Sequence, residues 1–485
     1  MKKLSNLLSA VITEEIIGDE HVDIAGVTSD SRQCGPGSLF VAVRGYNVDG
    51  HDFIARAVEA GASAVVCESI PQNITANVTF VRVADASVAL GSLASQWYDN
   101  PSRKLRLIGV TGTNGKTTVA TLIYELARIF GLRVGLLSTV VNKVGDTDVP
   151  STHTTPDPLE LNRLLADMVE AGCSIAAMEV SSHAAAQHRI AGLHFAGGIF
   201  TNLTRDHLDY HKTFDAYLAA KKSFFDMLPR EAFALVNIDD RNGKVMVQNT
   251  LAHVYSYSTC NDADFRVRIV ENRLDGMLVA FNGHEVETLF TGRFNAANLT
   301  AVYGAGVLMG FDGYELLVAM SRLVPVAGRF QTFRGRGVTA IVDYAHTPDA
   351  LVNVLDTIRD VIGRNHAVIT VCGAGGNRDR GKRPVMAAEA ARRSDRVILT
   401  SDNPRDEKPD DIIADMLAGL DDEARRRTLT ITDRREAIRT AVALAAAGDV
   451  VLVAGKGHET YQIIGGVSSH FDDREEVTKA LGEDK

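Results

Sequence analysis

GVTGTNGKTT, residues 109–118, follows directly on the apolar run LRLIGV at 105–110 and opens a helical pattern that runs through Ile129. Strand, glycine-rich turn and helix in that order are what a phosphate-binding loop requires. Gly112 and Gly115 let backbone N–H groups turn toward phosphate oxygens. Lys116 supplies a point charge, and Thr117 offers its hydroxyl to Mg²⁺ at a helix N-terminus. Thr113, Asn114 and Thr118 complete the nucleotide-facing stretch. The general pattern G-x-x-x-x-G-K would place glycine at 110, where this chain has Val110. Without a ligand the same residues make a strand-to-helix turn, and a nucleotide loop alone serves a switch or a motor as well as an enzyme.

Outward from the loop, probable strands recur at RVGLL, SIAAMEV, GGIFTN and FALVNI, separated by helical patterns. That alternation predicts a central doubly wound sheet. Residues 264–290 read as a β-meander, and helices are expected over Ala297–Leu308 and Tyr314–Leu323. A boundary falls close to Phe330. Beyond it VTAIVDY, AVITVCG, RVILTSD and VVLVAGK alternate with helices, which predicts a third, parallel-sheet domain. Before the loop, LFVAV, FIARAVEAGA and AVVCE form a strand-helix-strand unit that ends at the polar break DNPSRK, 99–104. The expected division is α/β throughout: a small N-terminal domain over 1–101, a central P-loop ATPase-like domain over 102–330 and a C-terminal Rossmann-like domain over 331–485.

Bulk properties agree. At about 150 residues per domain, 485 residues suggest three modules. A hydrophobic share of 45% and a charged share of 23% belong to globular chains with sizeable cores. The net charge of -10 argues against a nucleic-acid partner. Cys34, Cys67, Cys173, Cys260 and Cys372 are odd in number and never spaced C-x-x-C, so they read as thiols in a reducing cytosol. MKKLSNLLSAVITEE lacks a small-residue cleavage site, and no run approaches the ~20 apolar residues of a membrane span. A cytoplasmic monomer is expected.

The variant T-G-T-N-G-K-T resembles that of the Mur ligases and the related folylpolyglutamate synthases, and the rest of the chain is similar to the former over nearly its whole length, with the motifs in the expected order. The resemblance implies ATP and Mg²⁺, an acyl-phosphate reaction and a second magnesium held by Glu179 in EVSSH, His207 in TNLTRDHLDYH and Lys221 in AYLAAKK, the lysine as an anionic carbamate formed with CO₂. Judged alone, Glu179 suits a strand end, His207 a polar loop and Lys221 a solvated helix face. Together they suit attack on an acyl phosphate, whose negative charge two hard cations offset.

Other segments carry over in the same way. TSDSR and GYNVDG resemble the segments that hold uridine diphosphate and imply Ser29, Ser31, Tyr46, Asn47 and Val48; as bare sequence they are two turn-rich loops. HTTPD and SSHAAAQHR resemble the muropeptide loops, with Thr154, Thr155, Ser181, Gln187 and Arg189. GRFNAANLTA implies Asn295 and Asn298 near adenine, while GRF and DYAHTPD imply Arg329, Asp343 and His346 as nucleotide contacts. Thr347-Pro348-Asp349 is also a good helix start in its own right.

GGNRDRGKRP, SDNPRDE and GKGHE each follow a predicted parallel strand, at the carboxyl ends where open sheets bind ligands. They resemble the amino-acid loops of the diaminopimelate-adding members and imply Arg378, Asp402, Asn403, Pro404, Arg405, Gly455 and Glu459. DNPR alone is an Asx-Pro turn. With meso-diaminopimelate, Arg405 suits the distal carboxylate, and Asp402 and Glu459 the ammonium. The acceptor implied is UDP-N-acetylmuramoyl-L-alanyl-D-glutamate. A lysine-adding or folate-polyglutamylating ligase is the enzyme alternative, which DNPR and the UDP-type loops disfavour; a nucleotide-dependent switch is the alternative outside enzymes.

Overall fold

The run before the glycine-rich turn is the Arg106–Thr111 strand, buried from Leu107 onward and paired in parallel on both sides, with Ile175–Glu179 and Gly197–Phe200. Helices cover both of its faces, which is why its sequence is a continuous apolar run without alternation. The computed structural model describes residues 1–45, 48–73, 77–151 and 153–482, and its larger sheets have five, eleven and six strands.

In the large sheet six parallel strands stand in the order Val134–Leu137, Ile175–Glu179, Arg106–Thr111, Gly197–Phe200, Phe233–Asn237, His253–Ser258. The chain enters at Arg106–Thr111, winds outward, returns between its first two strands and then crosses to the other side. This is the expected doubly wound arrangement, and its switch point lies beside Arg106–Thr111. One face packs on Lys116–Ile129 and Arg293–Leu308, the other on Pro158–Glu170 and Phe214–Asp226.

The meander is present as Phe265–Arg273, Gly276–Phe281 and His284–Thr288, and Tyr257 pairing with Phe265 joins it to the same sheet. The helix expected from Ala297 begins at Arg293, after Gly292, whose N–H donates to Asn272 Oδ1 at 3.0 Å. This anchor of the residue before the helix comes from the meander, so local sequence gives no sign of it.

The six-stranded sheet contains the four anticipated parallel strands, Val338–Asp343, Val450–Ala454, Val368–Cys372 and Arg396–Leu399. It is mixed, because Gln331–Gly335 adds an antiparallel edge. Thr347 caps the following helix by accepting from Ala350 N, with Pro348 in the first turn. The five-stranded sheet holds the N-terminal strand-helix-strand unit, Ser38–Val41, Ile54–Glu59 and Ala62–Cys67. Among the described residues no helix is long and apolar enough to cross a membrane.

Candidate active site

The glycine-rich loop is shaped by its neighbours in the sheet. Gly112 has φ +149, and a Cβ there would collide with Thr201. Asn202 O accepts from Thr113 N at 2.8 Å, its Oδ1 accepts from Asn114 N at 2.9 Å, and Thr201 Oγ1 donates to Asn114 O at 2.6 Å. Thr113 Oγ1 lies 3.0 Å from the Tyr217 hydroxyl. Gly115, φ +86, caps the Lys116–Ile129 helix, and Asn298 Oδ1 sits 2.6 Å from where its Cβ would be. Asn295 supports Asn298 at 3.4 Å. Thr117 and Thr118 are buried in the first turn. Lys116 Nζ bonds Gly112 O and Thr113 O at 2.9 and 2.8 Å, folded onto the loop, and burial pulls its pKa down.

Around this loop the sheet gathers the proposed metal residues. Glu179 ends the adjacent strand, 1% exposed. Its Oε1 accepts from Thr139 N at 2.7 Å, whereas its Oε2 is buried with no hydrogen-bond partner among the described residues. Lys221, 2% exposed, lies on the buried side of its helix, contrary to the reading of a solvated face, and donates to Gly112 O at 2.8 Å. Burial and the nearby Lys116 ammonium hold its amine well below the usual lysine range. His207 has φ +53 and its ring meets His183 edge-on at 4.9 Å. Burial lowers its pKa to about 4, leaving the imidazole neutral at pH 7.

Thr154, Thr155, Ser181, Gln187 and Arg189 form one polar network beside Glu179. Thr155 Oγ1 donates to Glu179 O at 2.8 Å, Arg189 Nη1 to Thr155 O at 2.8 Å, and Arg189 Nη2 to Gln187 Oε1 at 2.7 Å. Thr139 Oγ1 bonds Thr154 Oγ1 at 3.0 Å, and Ser181 accepts from Ala184 N. Ser29 and Val48 are exposed and Ser31 is buried; they follow adjacent parallel strands of the N-terminal sheet, which puts their loops on one edge. Tyr46 and Asn47 lie outside the described residues.

The third sheet meets the loop through Arg329, whose Nη2 donates to Thr117 Oγ1 at 3.1 Å and whose guanidinium lies 4.5 Å over the Tyr344 ring. Asp343 Oδ2 accepts from Phe330 N at 2.7 Å. His346 Nδ1 is 2.9 Å from Tyr344 O. Gly328 packs directly on the Gly457–His458 backbone, leaving no room for a Cβ.

At the carboxyl ends of the third sheet the GGNR, DNPR and GKGHE loops interlock. Arg405, φ +55, donates through Nη1 to Gly376 O at 2.6 Å, and Arg378 lies against the same glycine pair. Pro404 packs its carbonyl on Gly376. Asn403 Nδ2 donates to Glu459 Oε2 at 2.7 Å. Asp402 is turned inward, and a Cβ at Gly455, φ +122, would lie 2.6 Å from its Oδ2. Thr139, Thr201, Asn202, Tyr217 and Lys456 were not singled out from sequence. TNLT does stand in the quoted TNLTRDHLDYH segment and Lys456 in GKGHE, so the motifs contained some of them, but nothing local marked their contacts.

Three family patterns match in chain order: the Mur ligase family catalytic domain over residues 23–98, the Mur ligase middle domain over 110–306, and the Mur ligase glutamate ligase domain over 328–457. The chain belongs to the Mur ligase family. It is 58% identical over 474 residues, 98% of both chains, to a Bacteroides fragilis protein named UDP-N-acetylmuramoyl-L-alanyl-D-glutamate--2,6-diaminopimelate ligase. A Cytophaga hutchinsonii protein of the same name is 52% identical, covering 99% of this chain and 100% of its own. A solved structure with that ligase name aligns at TM-score 0.69 and 35% identity, covering 97% of this chain and 99% of its own.

Proposed function

We propose that this protein uses ATP to join meso-2,6-diaminopimelate to the D-glutamyl side-chain carboxylate of UDP-N-acetylmuramoyl-L-alanyl-D-glutamate, in cytoplasmic peptidoglycan precursor synthesis. The observation that carries the choice of amino acid is the interlocked DNPR site. Arg378 and Arg405 meet at Gly375 and Gly376 beside Asn403, whose side chain holds Glu459, and guanidinium and carboxylate on one set of loops suit the distal amino-acid head of diaminopimelate. Lysine would leave the arginines without a carboxylate.

We divide the chain into a UDP-muropeptide domain over 1–101, an ATP domain over 102–330 and an amino-acid domain over 331–485. The turn at Pro101–Arg103 and the Gly328–Phe330 hinge support these limits.

In the reaction the γ-phosphoryl group of ATP passes to the glutamyl carboxylate. The diaminopimelate amine then attacks the acyl-phosphate carbonyl carbon, the C–O bond to phosphate breaks and the amine proton leaves with the solvent. Lys116 and Arg329 would neutralise phosphate oxygens, and Asn295 and Asn298 would flank the base. The Thr154–Arg189 network would orient the muropeptide, so that most of the rate comes from positioning and charge compensation.

The orphan Oε2 of Glu179 fits a cation. Magnesium would be held by Thr117, Glu179, His207 and Lys221 as its carbamate, and when bound it supplies charge compensation to the transferred phosphoryl group. Among the described residues no three His, Cys, Asp or Glu side chains converge as a metal site. A carbamate on Lys221 would supply the missing anionic ligand. The low basicity of this buried amine suits its formation, because only the unprotonated nitrogen adds to CO₂, forming the N–C bond and losing a proton.

An amino-acid panel with UDP-N-acetylmuramoyl-L-alanyl-D-glutamate, ATP and Mg²⁺, read by product mass, tests this function. The expected product carries one diaminopimelate residue; preferred addition of lysine would overturn the reading.

A further inference from the structure

Lys456 lies inside GKGHE with its side chain 0% exposed, and it has no part in the phosphoryl transfer or the amine attack. Its Nζ donates to Asn403 Oδ1 at 3.1 Å and to Glu459 Oε2 at 3.1 Å. Asn403 Oδ1 also accepts from Ile463 N at 3.0 Å, while its Nδ2 donates to Glu459 Oε2 at 2.7 Å. Both donors on one side of the amide and the carboxylate on the other leave Asn403 a single orientation. Glu459 Oε2 is thereby pinned, and Oε1 keeps a long 3.5 Å contact from the Tyr344 hydroxyl.

Charge makes the arrangement specific. Within this buried group Arg434 is matched by Asp473 in a two-bond pair. The carboxyls of Asp402 and Glu459 both face the Lys456 ammonium, Lys382 also acts on Asp402, and Lys456 is the cation that bonds Glu459 directly. The Glu459 carboxyl sits above its usual range, pushed up by burial and the neighbouring Asp402 and only partly pulled back by the Lys456 ammonium and the hydrogen bonds from Lys456 and Asn403. Lys456 favours the charged form of both carboxyls, and it bonds only Glu459 of the two.

We propose that Lys456 is a specificity-positioning residue, which holds Glu459 through its Oε2 and so turns its Oε1 to accept the distal ammonium of the incoming amino acid. The inference rests on the reading of Glu459 as an amino-acid contact. It assigns Arg405 to the distal carboxylate and the Lys456–Asn403–Glu459 triangle to the distal amine.

The experiment compares kcat/KM for meso-diaminopimelate and 2-aminopimelate, which keeps the distal carboxylate and lacks the distal amine. Wild type is expected to prefer diaminopimelate by about tenfold or more. In Lys456→Met that preference shrinks to about threefold or less through loss of diaminopimelate activity alone, with ADP affinity kept. Glu459→Gln is expected to show the same loss of preference. The double variant Glu459→Gln/Lys456→Met loses one acid with one base, so it keeps the charge balance of the buried group and serves if the single lysine variant does not fold. It should discriminate no worse than Glu459→Gln alone, because Lys456 acts through Glu459. Equal losses for both amino acids, an undiminished preference in Lys456→Met, or a further loss in the double variant would overturn the role of Lys456. A wild type without preference would instead overturn the reading of Glu459 itself.

Discussion

Arg329 Nη2 and Thr117 Oγ1, 212 positions apart in the chain, are 3.1 Å apart in the fold. This bond ties the hinge before the third sheet to the first turn of the phosphate-loop helix, and Tyr344 braces the guanidinium from the other side at 4.5 Å.

Arg329→Ala should therefore weaken ADP binding by about tenfold or more, the cost of one charge-assisted contact. Arg329→Lys should recover only part of it, since a lysine ammonium cannot stack flat on the ring while reaching the loop. Calorimetric titration with ADP checks both; unchanged affinity in the alanine variant would remove Arg329 from the nucleotide site.

Lys221→Ala should lower kcat by about a hundredfold or more, as expected for losing a charge-organising group at the reacting phosphate. A short added carboxylate such as formate should restore part of the rate by standing in for the carbamate. Intact mass of the folded wild-type protein, kept in bicarbonate, or its crystal structure should show one added CO₂ on Lys221. An unmodified amine in fully active protein would end the carbamate proposal.

Arg405→Ala leaves the distal carboxylate of diaminopimelate unpaired, a loss of roughly 1.5–3 kcal/mol, so kcat/KM should fall by tenfold to a hundredfold or more. The same change also removes the bond to Gly376 O, a loss that would be common to both amino acids and smaller than the loss of the carboxylate contact. Lysine turnover is thus the control and should be far less affected. Equal losses for both amino acids would make DNPR a structural turn.

Asp343 gives a pH signature. Its carboxyl is raised to about 6, chiefly by burial, with Arg329 working the other way. The unfolded group ionises near 3.9, so between about pH 4 and 6 the folded state binds more protons and stability falls as pH rises, by roughly 3 kcal/mol in total. Asp343→Asn keeps an acceptor for Phe330 N and cannot ionise. It should flatten this slope and be the more stable protein at pH 7 in denaturant titrations. An unchanged slope would show that Asp343 is not the group responsible.

The phosphate loop, the alternation of strands and helices, and the placing of GGNR, DNPR and GKGHE at strand ends were legible because each is a local pattern: a buried parallel strand is a continuous apolar run, and a left-handed turn needs glycine. Gly112 and Gly115 mark such turns in the sequence itself. Long-range packing decided the rest. Which face of its helix Lys221 presents depends on the sheet beneath it, and the same packing that buries the amine lowers its basicity. Glu179 has one oxygen held by Thr139 N, 40 positions earlier, and its other oxygen is buried with no partner among the described residues. Lys456 is one lysine among many until Asn403, 53 positions away, and Glu459 close around its ammonium. A side chain's charge state and aim follow from which groups exclude water around it, and those groups meet only when the chain has folded.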